Sequence, residues 1–307
     1  MNKLDFSIII PLYNQEKYIE RCVKSALRQD FNGTYEVIVV NDGSTDGSEE
    51  ILNSFNDTRL KIFKNQNGGL AYSRNFGNSK ASGEYIVYLD ADDELDHSCL
   101  KTFYNKNLDY DADIILAPYC AIREHRNDIK EYFPLKKFRN KKGYLNIQNT
   151  KGEILKTNFE AWGKAYKKEF ILKNNIESPI IHLAEDVPLF YKALLSTDKI
   201  LLVKKPVYFY RRGHKKPYKN GKYDLVQEVI KTIHASEEIV KNYKNYNCIE
   251  KIYAQNTLKI CLFWYKKFKK LDNREVFYDF STGYLKDFGL ELSFRIKSFI
   301  NNLIDIL

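Results

Sequence analysis

Glycine and proline are scarce in this chain of 307 residues, at 14 and 7, which excludes collagen-like repeats and long Pro/Gly linkers. No run approaches the roughly 18 consecutive apolar residues of a membrane-spanning helix. Cysteine is sparse: Cys22, Cys99, Cys120, Cys248 and Cys261 are scattered, odd in number and without a CxxC pair. They read as core fillers, not as a disulfide framework or a metal site. The first residues lead into a short apolar run that ends at Pro11, with no cleavage pattern of a secretory signal. The expectation is a cytoplasmic chain with reduced thiols. The GxGxxG turn of dinucleotide-binding enzymes is also missing: the first apolar run is followed by PLYNQEKY, which removes an NAD-dependent dehydrogenase. A nucleotidyltransferase is the nearest rival enzyme, but it would carry a glycine-rich, arginine-bearing loop at that same point. What is present is 44% hydrophobic residues, enough to bury a core and exclude disorder. The length suits one large domain or two modest ones.

Charge is unevenly spread. The chain has 49 basic and 40 acidic residues, a net charge of +9. Segment 204–222 (KKPVYFYRRGHKKPYKNGK) alone holds 8 basic residues and no acidic one. With its tyrosines it could grip a diphosphate or another polyanion. The plain alternative is a solvated loop.

Short apolar runs alternate with helical patterns through the first third. Strands are predicted at 6–10 (closed by Pro11), 35–40 (YEVIVV), 60–63 and 85–89 (YIVYL). Helices are predicted at 15–29 with Asn14 as N-cap, at 48–55 and at 70–79. This βαβαβαβ order implies an α/β fold with a mostly parallel, Rossmann-like central sheet. Ligands bind beyond the carboxyl ends of such strands, and polar residues stand there after the first, second and fourth: Tyr13-Asn14, Asn41 to Ser44, and Asp90 to Asp93. Further on, strands are expected at 114–117, 200–203 and 207–210, a basic loop at 133–142, a helix at 186–195, and mainly helix from residue 223.

Two carboxylates two residues apart at a strand end, Asp90 and Asp92, suit a shared hard cation such as Mg²⁺ or Mn²⁺, with ligand phosphates completing the shell. Asp42, in NDGSTDGS, can accept from a base N–H or simply form an Asx turn. Arg74 follows Gly68 and Gly69, which allow close backbone approach. It is otherwise a helix-surface arginine. Glu185 and Asp186 open a helix, where acidic residues also complement the dipole.

Together, SIIIPLYNQEKYIERCVKSALRQ, YEVIVVNDGSTDGS, NGGLAYSRNFGNSKASGEYIVYLDADDEL, AWGKAYKKEF and AEDVPLF resemble glycosyltransferase family 2 over about residues 5–212. The resemblance implies the GT-A fold and an inverting transferase that uses a nucleotide-diphosphate sugar. On that pattern Pro11 and Tyr13 border the nucleobase, Asp42 binds it and Arg74 helps hold it. Asp90 faces the ribose and metal, while Asp92 ligates Mn²⁺ or Mg²⁺. Asp186 is the catalytic base, with Glu185 beside it, and Trp162 lies near the acceptor or donor sugar. Arg211 and Arg212 would meet the diphosphate, and His214 is a further candidate metal ligand. The implied organisation is a catalytic domain at 1–222, with a nucleotide-sugar half at about 1–95 and an acceptor half at about 96–222, followed by a helical extension at 223–307.

The implied partners are a nucleotide sugar, such as a UDP-sugar, and a glycan or lipid-linked acceptor. The Lys-, Asn- and Ile-rich composition suits an AT-rich bacterial genome and surface polysaccharide synthesis. No nucleic acid is expected, because a nucleic-acid module on 211–222 would leave three acidic strand ends unexplained. In the tail, Phe263, Trp264 and Phe268 interleave with Lys266, Lys267, Lys269 and Lys270, and Leu292 to Leu307 form an apolar helical face. Both features suit peripheral contact with the inner face of an anionic membrane, or packing within the protein or a homodimer.

Overall fold

The computed structural model describes residues 4–123, 126–133, 135–213, 224–268 and 274–286. Strands β1 (Leu4–Leu12), β2 (Tyr35–Asn41), β3 (Leu60–Lys64) and β4 (Gly83–Tyr88) alternate with helices α1 (Ile19–Leu27), α2 (Ser48–Asn53) and α3 (Leu70–Lys80). There follow β5 (Glu94–Leu95), α4 (Cys99–Asn107), β6 (Ile114–Leu116), β7 (Tyr119–Arg123), β8 (Arg126–Tyr132), β9 (Lys164–Lys167), α5 (Lys168–Lys173), α6 (Asp186–Leu195), β10 (Ile200–Leu202) and β11 (Tyr208–Arg212). Helices α7 (Leu225–Lys241), α8 (Glu250–Lys267) and α9 (Arg274–Lys286) close the described chain.

The main sheet runs β10-β6-β9-β4-β1-β2-β3. It is parallel except for β9, which is antiparallel to both β4 and β6. A smaller sheet runs β5-β11-β7-β8. Strands β1, β2 and β4 are apolar along most of their length because both faces are covered. Alternation divides β1 between two cores. Phe6, Ile8, Ile10 and Leu12 belong to one core with Ile19, Cys22, Val23 and Ala26 of α1, whereas Ile9 belongs to the core on the other face, which also takes in residues of α6, α7 and α8. Close approach is enforced at Gly77 of α3, where a Cβ would lie 2.5 Å from Ile9 Cγ2. The C-terminal helices thus share one hydrophobic core with α6 and the sheet.

Two local expectations change. Pro11 does not end β1: it pairs with Val40 inside the ladder to β2. Ile9 O accepts from Leu89 N–H and Leu12 O accepts from Asp42 N–H. Pro11 therefore turns toward the β4 side, beyond the last β1–β4 pair at Ile9 and Tyr88, where no ladder donor is required. Asn14 does not cap α1, which starts at Ile19. Its φ is +49°, and its Oδ1 accepts from Thr45 N–H at 2.7 Å, tying the loop after β1 to the loop after β2. Of the two uses expected for the aromatic stripe at the end of α8, packing within the protein accounts for part. Phe268 is 1% exposed, stacked on Trp264 with ring centroids 5.6 Å apart and edge-on to Phe277 at 5.2 Å. Of the three aromatics only Phe263 is exposed. Lys269, Lys270 and residues 292–307 lie outside the described residues. No described helix is long and apolar enough to cross a membrane.

Candidate active site

The carboxyl ends of β1, β2 and β4 converge on a cleft of about 230 Å³. Pro11, Leu12 and Tyr13 line it from β1, Asp42 from β2, and Asp90, Ala91 and Asp92 from the turn after β4. Two further segments complete it, 67–73 before and within α3 and 182–185 before α6. The strand ends marked by polar residues in the sequence therefore do meet in space.

Asp42 is buried, and its two oxygens accept from Gly68 N–H at 2.8 Å and Gly69 N–H at 2.7 Å. Its carboxylate shapes the glycine loop before α3 and keeps acceptor capacity for a ligand N–H, since a carboxylate offers about four lone-pair sites. Gly69 needs its φ of +90°, and a Cβ there would come within 3.3 Å of His182 Nδ1.

Arg74 is the hub of the site, although it stands one turn inside α3 and is 1% exposed. Its Nη1 donates to Glu185 Oε1 at 2.8 Å and to Asp186 Oδ1, and its Nη2 donates to Asp90 Oδ1 at 2.9 Å. Burial opposes its charge, but Asp186, Asp90 and Glu185 together hold the guanidinium well above its ordinary pKa. Arg74 thereby joins the acidic turn after β4 to the start of α6. Glu185, fully enclosed, is pushed up to about 8, first by burial and then by the Asp186 charge. Of this pair, Glu185 is the member driven toward the neutral acid. Asp186 is 16% exposed at its side chain.

The acidic turn is strapped from behind by β11. Tyr208 Oη donates to Asp93 Oδ2 at 2.7 Å and accepts from Asp90 N–H at 3.2 Å. Arg211 N–H donates to Asp93 Oδ1 at 2.7 Å. The Arg211 guanidinium donates through Nε to the Asp92 carbonyl at 3.1 Å and through Nη2 to Glu94 Oε1 at 2.5 Å, and it lies over the Tyr18 ring. Arg211 is 6% exposed. Two of its five N–H donors are thus engaged by the turn carbonyl and Glu94. Burial, then the charges of Asp92 and Asp90, push the Asp93 carboxyl well above the usual range. Carboxylate oxygens of Asp90, Asp92 and Asp93 lie within 4.8 Å of one another. This all-oxygen donor set fits a hard divalent cation, which tolerates few protein ligands when phosphate supplies the rest.

Trp162 is 1% exposed and stacks face to face on Tyr208, with centroids 4.3 Å apart and planes 7° apart. The expected sugar-side aromatic is thus a buried support beneath the Tyr208 ring. Lys164, two residues on, is buried, has no carboxylate ion pair among the described residues, and donates to the carbonyls of Asn158, Glu160 and Trp162. Desolvation brings its ammonium down to about 8. Arg212 is half-buried, donates to Tyr132 Oη at 3.2 Å and lies over the rings of Tyr132 and Tyr210. His214 lies outside the described residues. Sequence reasoning missed His182 and Ser73, both of which line the cleft. The buried Ser73 hydroxyl has no protein hydrogen-bond partner. It also missed Ala184, whose φ of +59° puts a non-glycine residue in the left-handed region immediately before Glu185. The position of His182, three residues before Glu185, was the available signal.

The sequence model of Glycosyl transferase family 2 matches residues 7–171. The chain belongs to glycosyltransferase family 2. It is a glycosyltransferase, and the matched span contains the strand ends and Arg74 but not Asp186. Among curated relatives, glycosyltransferase GlyA of Streptococcus pneumoniae is 33% identical over 214 residues, 67% of this chain and 30% of GlyA. The cholesterol galactosyltransferase of Borreliella burgdorferi is 27% identical over 281 residues, 88% of this chain and 76% of that protein. Among solved structures, Staphylococcus aureus TarS 1-349 in complex with UDP-GlcNAc superposes with a TM-score of 0.74 at 23% identity, covering 92% of this chain and 80% of that one. That likeness shows the GT-A fold. TarS is named a poly(ribitol-phosphate) β-N-acetylglucosaminyltransferase.

Proposed function

We propose that this family 2 enzyme moves a sugar from a UDP-sugar to a glycan or lipid-linked glycan acceptor in bacterial surface polysaccharide synthesis, with inversion at the anomeric carbon. One observation carries the reading: Arg74 gathers Asp90 of the acidic turn and Glu185 and Asp186 of α6 at one end of the cleft. A donor-side acidic cluster and a candidate base are then adjacent. The TarS structures described with UDP and UDP-GlcNAc support a uridine donor.

In the proposed reaction the acceptor oxygen attacks the anomeric carbon as the bond to the leaving diphosphate breaks. The bonding pair departs with the nucleoside diphosphate, and Asp186 takes the acceptor proton. Pro11, Tyr13 and Asp42 would hold the nucleobase end. Asp92 and Asp90 would hold Mn²⁺ or Mg²⁺, which when bound offsets charge on the diphosphate. Arg74 keeps the Asp186 carboxylate oriented. The catalytic unit is assigned to residues 1–222 and the helical extension to 223–307. A lipid-linked acceptor would bring the enzyme to the inner face of the cell membrane. The test is calorimetry with UDP, with and without Mn²⁺, on the wild type and on Asp92→Ala, followed by a screen of nucleotide sugars for hydrolysis and transfer. Metal-dependent UDP binding that Asp92→Ala abolishes is expected. Unchanged affinity and unchanged metal dependence in the variant would remove the acidic turn from donor binding.

A further inference from the structure

The segment that carries Glu185 and Asp186 is held on its outer side by α7, in the part of the chain beyond the family match. Glu228 and Thr232, one helical turn apart on α7, are 4% and 0% exposed. Glu228 Oε2 accepts from His182 N–H at 2.7 Å. Thr232 Oγ1 donates to the Leu183 carbonyl at 2.7 Å and is also within 3.1 Å of the Glu228 carbonyl. Successive backbone groups of the loop are thereby satisfied by two side chains of one helix face, as i, i+4 spacing permits. The next residue is Ala184, in the left-handed region. A non-glycine residue stays in such a conformation only where its surroundings over-determine it. Burial works against the Glu228 charge, yet the His182 N–H and the Lys231 ammonium at 2.6 Å hold its carboxyl below the ordinary glutamate range. It meets the loop as a carboxylate, and hydrogen bonds to ionised groups are the stronger kind. The helix itself is anchored: Asp224 Oδ1 caps it by accepting from Val226 N–H at 3.0 Å, and Val226, Val229 and Ile233 pack in the core with Leu183 and Val187.

We infer that α7 is a positioning element of the active site, in which Glu228 and Thr232 clamp residues 182–184 and so fix the direction in which Glu185 and Asp186 enter the cleft. Their importance to transfer rests on the reading of Asp186 as the base, but the clamp itself does not. The extension beyond the family match is then part of the catalytic apparatus through its hold on this loop.

Backbone hydrogen exchange on the full chain, with Thr232→Val, Thr232→Ser and Glu228→Ala, tests the clamp without any substrate. Thr232→Val keeps the shape and removes the donor, while Thr232→Ser keeps the donor. Amides of residues 182–186 are expected to exchange about tenfold faster in Thr232→Val and Glu228→Ala, the scale of losing one buried hydrogen bond, with Thr232→Ser near wild type. Exchange in β1, β2 and β4 should stay unchanged. On the donor and acceptor that the wild type turns over, kcat should fall in Thr232→Val with the donor KM retained, and Thr232→Ser should restore it. Uniform acceleration across the chain would mean that these residues support only global stability, and unchanged exchange at 182–186 would mean there is no clamp. Either result overturns the inference. Loop exchange that rises as expected, together with an Asp186→Asn variant that transfers normally, would uphold the clamp and refute the base assignment alone.

Discussion

Replacing Arg74 by alanine is the sharpest perturbation of this site, because one buried cation serves three carboxylates. Its removal leaves Glu185, almost fully enclosed, and the partly exposed Asp90 and Asp186 facing one another without a counter-charge. Breaking a buried ion pair by deleting one partner costs about 3–5 kcal/mol, because the remaining charge is uncompensated. In a chain of this size that corresponds to a fall in melting temperature of roughly 5–15 °C. Arg74→Lys tests geometry apart from charge. A single ammonium cannot occupy both the Nη1 position at Glu185 and Asp186 and the Nη2 position at Asp90, so about 1.5–3 kcal/mol should still be lost with one charge-assisted bond. Glu185, whose carboxyl is raised to about 8, is a stranded charge only above that pH, so there adding Glu185→Gln to Arg74→Ala should recover part of the loss, with a coupling of about 0.5–3 kcal/mol. Thermal and urea unfolding monitored by circular dichroism measure the wild type, Arg74→Ala, Arg74→Lys, Glu185→Gln and the double variant. The reasoning is refuted if Arg74→Ala melts within about 2 °C of wild type, or if its cost and that of Glu185→Gln simply add.

Asp186→Asn should leave UDP binding near normal and lower transfer by about 10²–10⁴-fold, the reach of general-base catalysis; near-wild-type turnover with a competent acceptor would remove Asp186 from the chemistry. Tyr208→Phe keeps the stack on Trp162 and deletes the hydroxyl between Asp93 and the Asp90 N–H. It should cost about 1–3 kcal/mol and weaken Mn²⁺-dependent UDP binding, and unchanged melting and unchanged binding would show that the strap is idle. Glu185, with its pKa raised from 4.5 to about 8, holds a proton in the native state that the unfolded chain releases. Stability from this group is therefore present at low pH and lost as pH rises from about 4.5 to about 8. Subtracting the urea-unfolding profile of Glu185→Gln from that of the wild type should isolate this downward slope, and a flat or rising difference would contradict it.

The sequence made the donor half of the fold legible because its strands are doubly covered. YEVIVV and YIVYL are apolar regardless of what packs on them, and their polar ends stand out by contrast. The same contrast picked out Asp42, Asp90 and Asp92, whereas Asp186, at the start of a helix, stood out only through the family resemblance. Strands β8 and β9 gave no such contrast. RNDIKEY lies at the edge of the smaller sheet with Ile129 exposed, so neither face imposed an apolar alternation. KAYK is only four residues long, and it is a strand because it fits antiparallel between β4 and β6. That is a tertiary fact with no local signature.

Partnership was harder to read than identity. Arg74 and Arg211 both looked like cations available to a nucleotide, since arginine near a phosphate site and arginine near a carboxylate are the same letter. What separates the two roles is how many acidic side chains the fold brings within reach, and these come from 111 and 112 residues away for Arg74 and 117 for Arg211. A chain that concentrates Asp90, Asp92, Asp93, Glu94, Glu185 and Asp186 at one cleft must offset their mutual repulsion before any ligand arrives. The two arginines meet that need: Arg74 bridges the turn to α6, and Arg211 binds the turn from β11. Both guanidiniums are buried against these carboxylates, at 1% and 6% exposure. Arg212, by contrast, has no carboxylate partner among the described residues; it is half-buried and rests on Tyr132 and Tyr210. Acidic residues that looked like ligands in the sequence are thus half of an ion-pair scaffold, and the scaffold is what lets carboxylate oxygens of Asp90, Asp92 and Asp93 stand within 4.8 Å of one another.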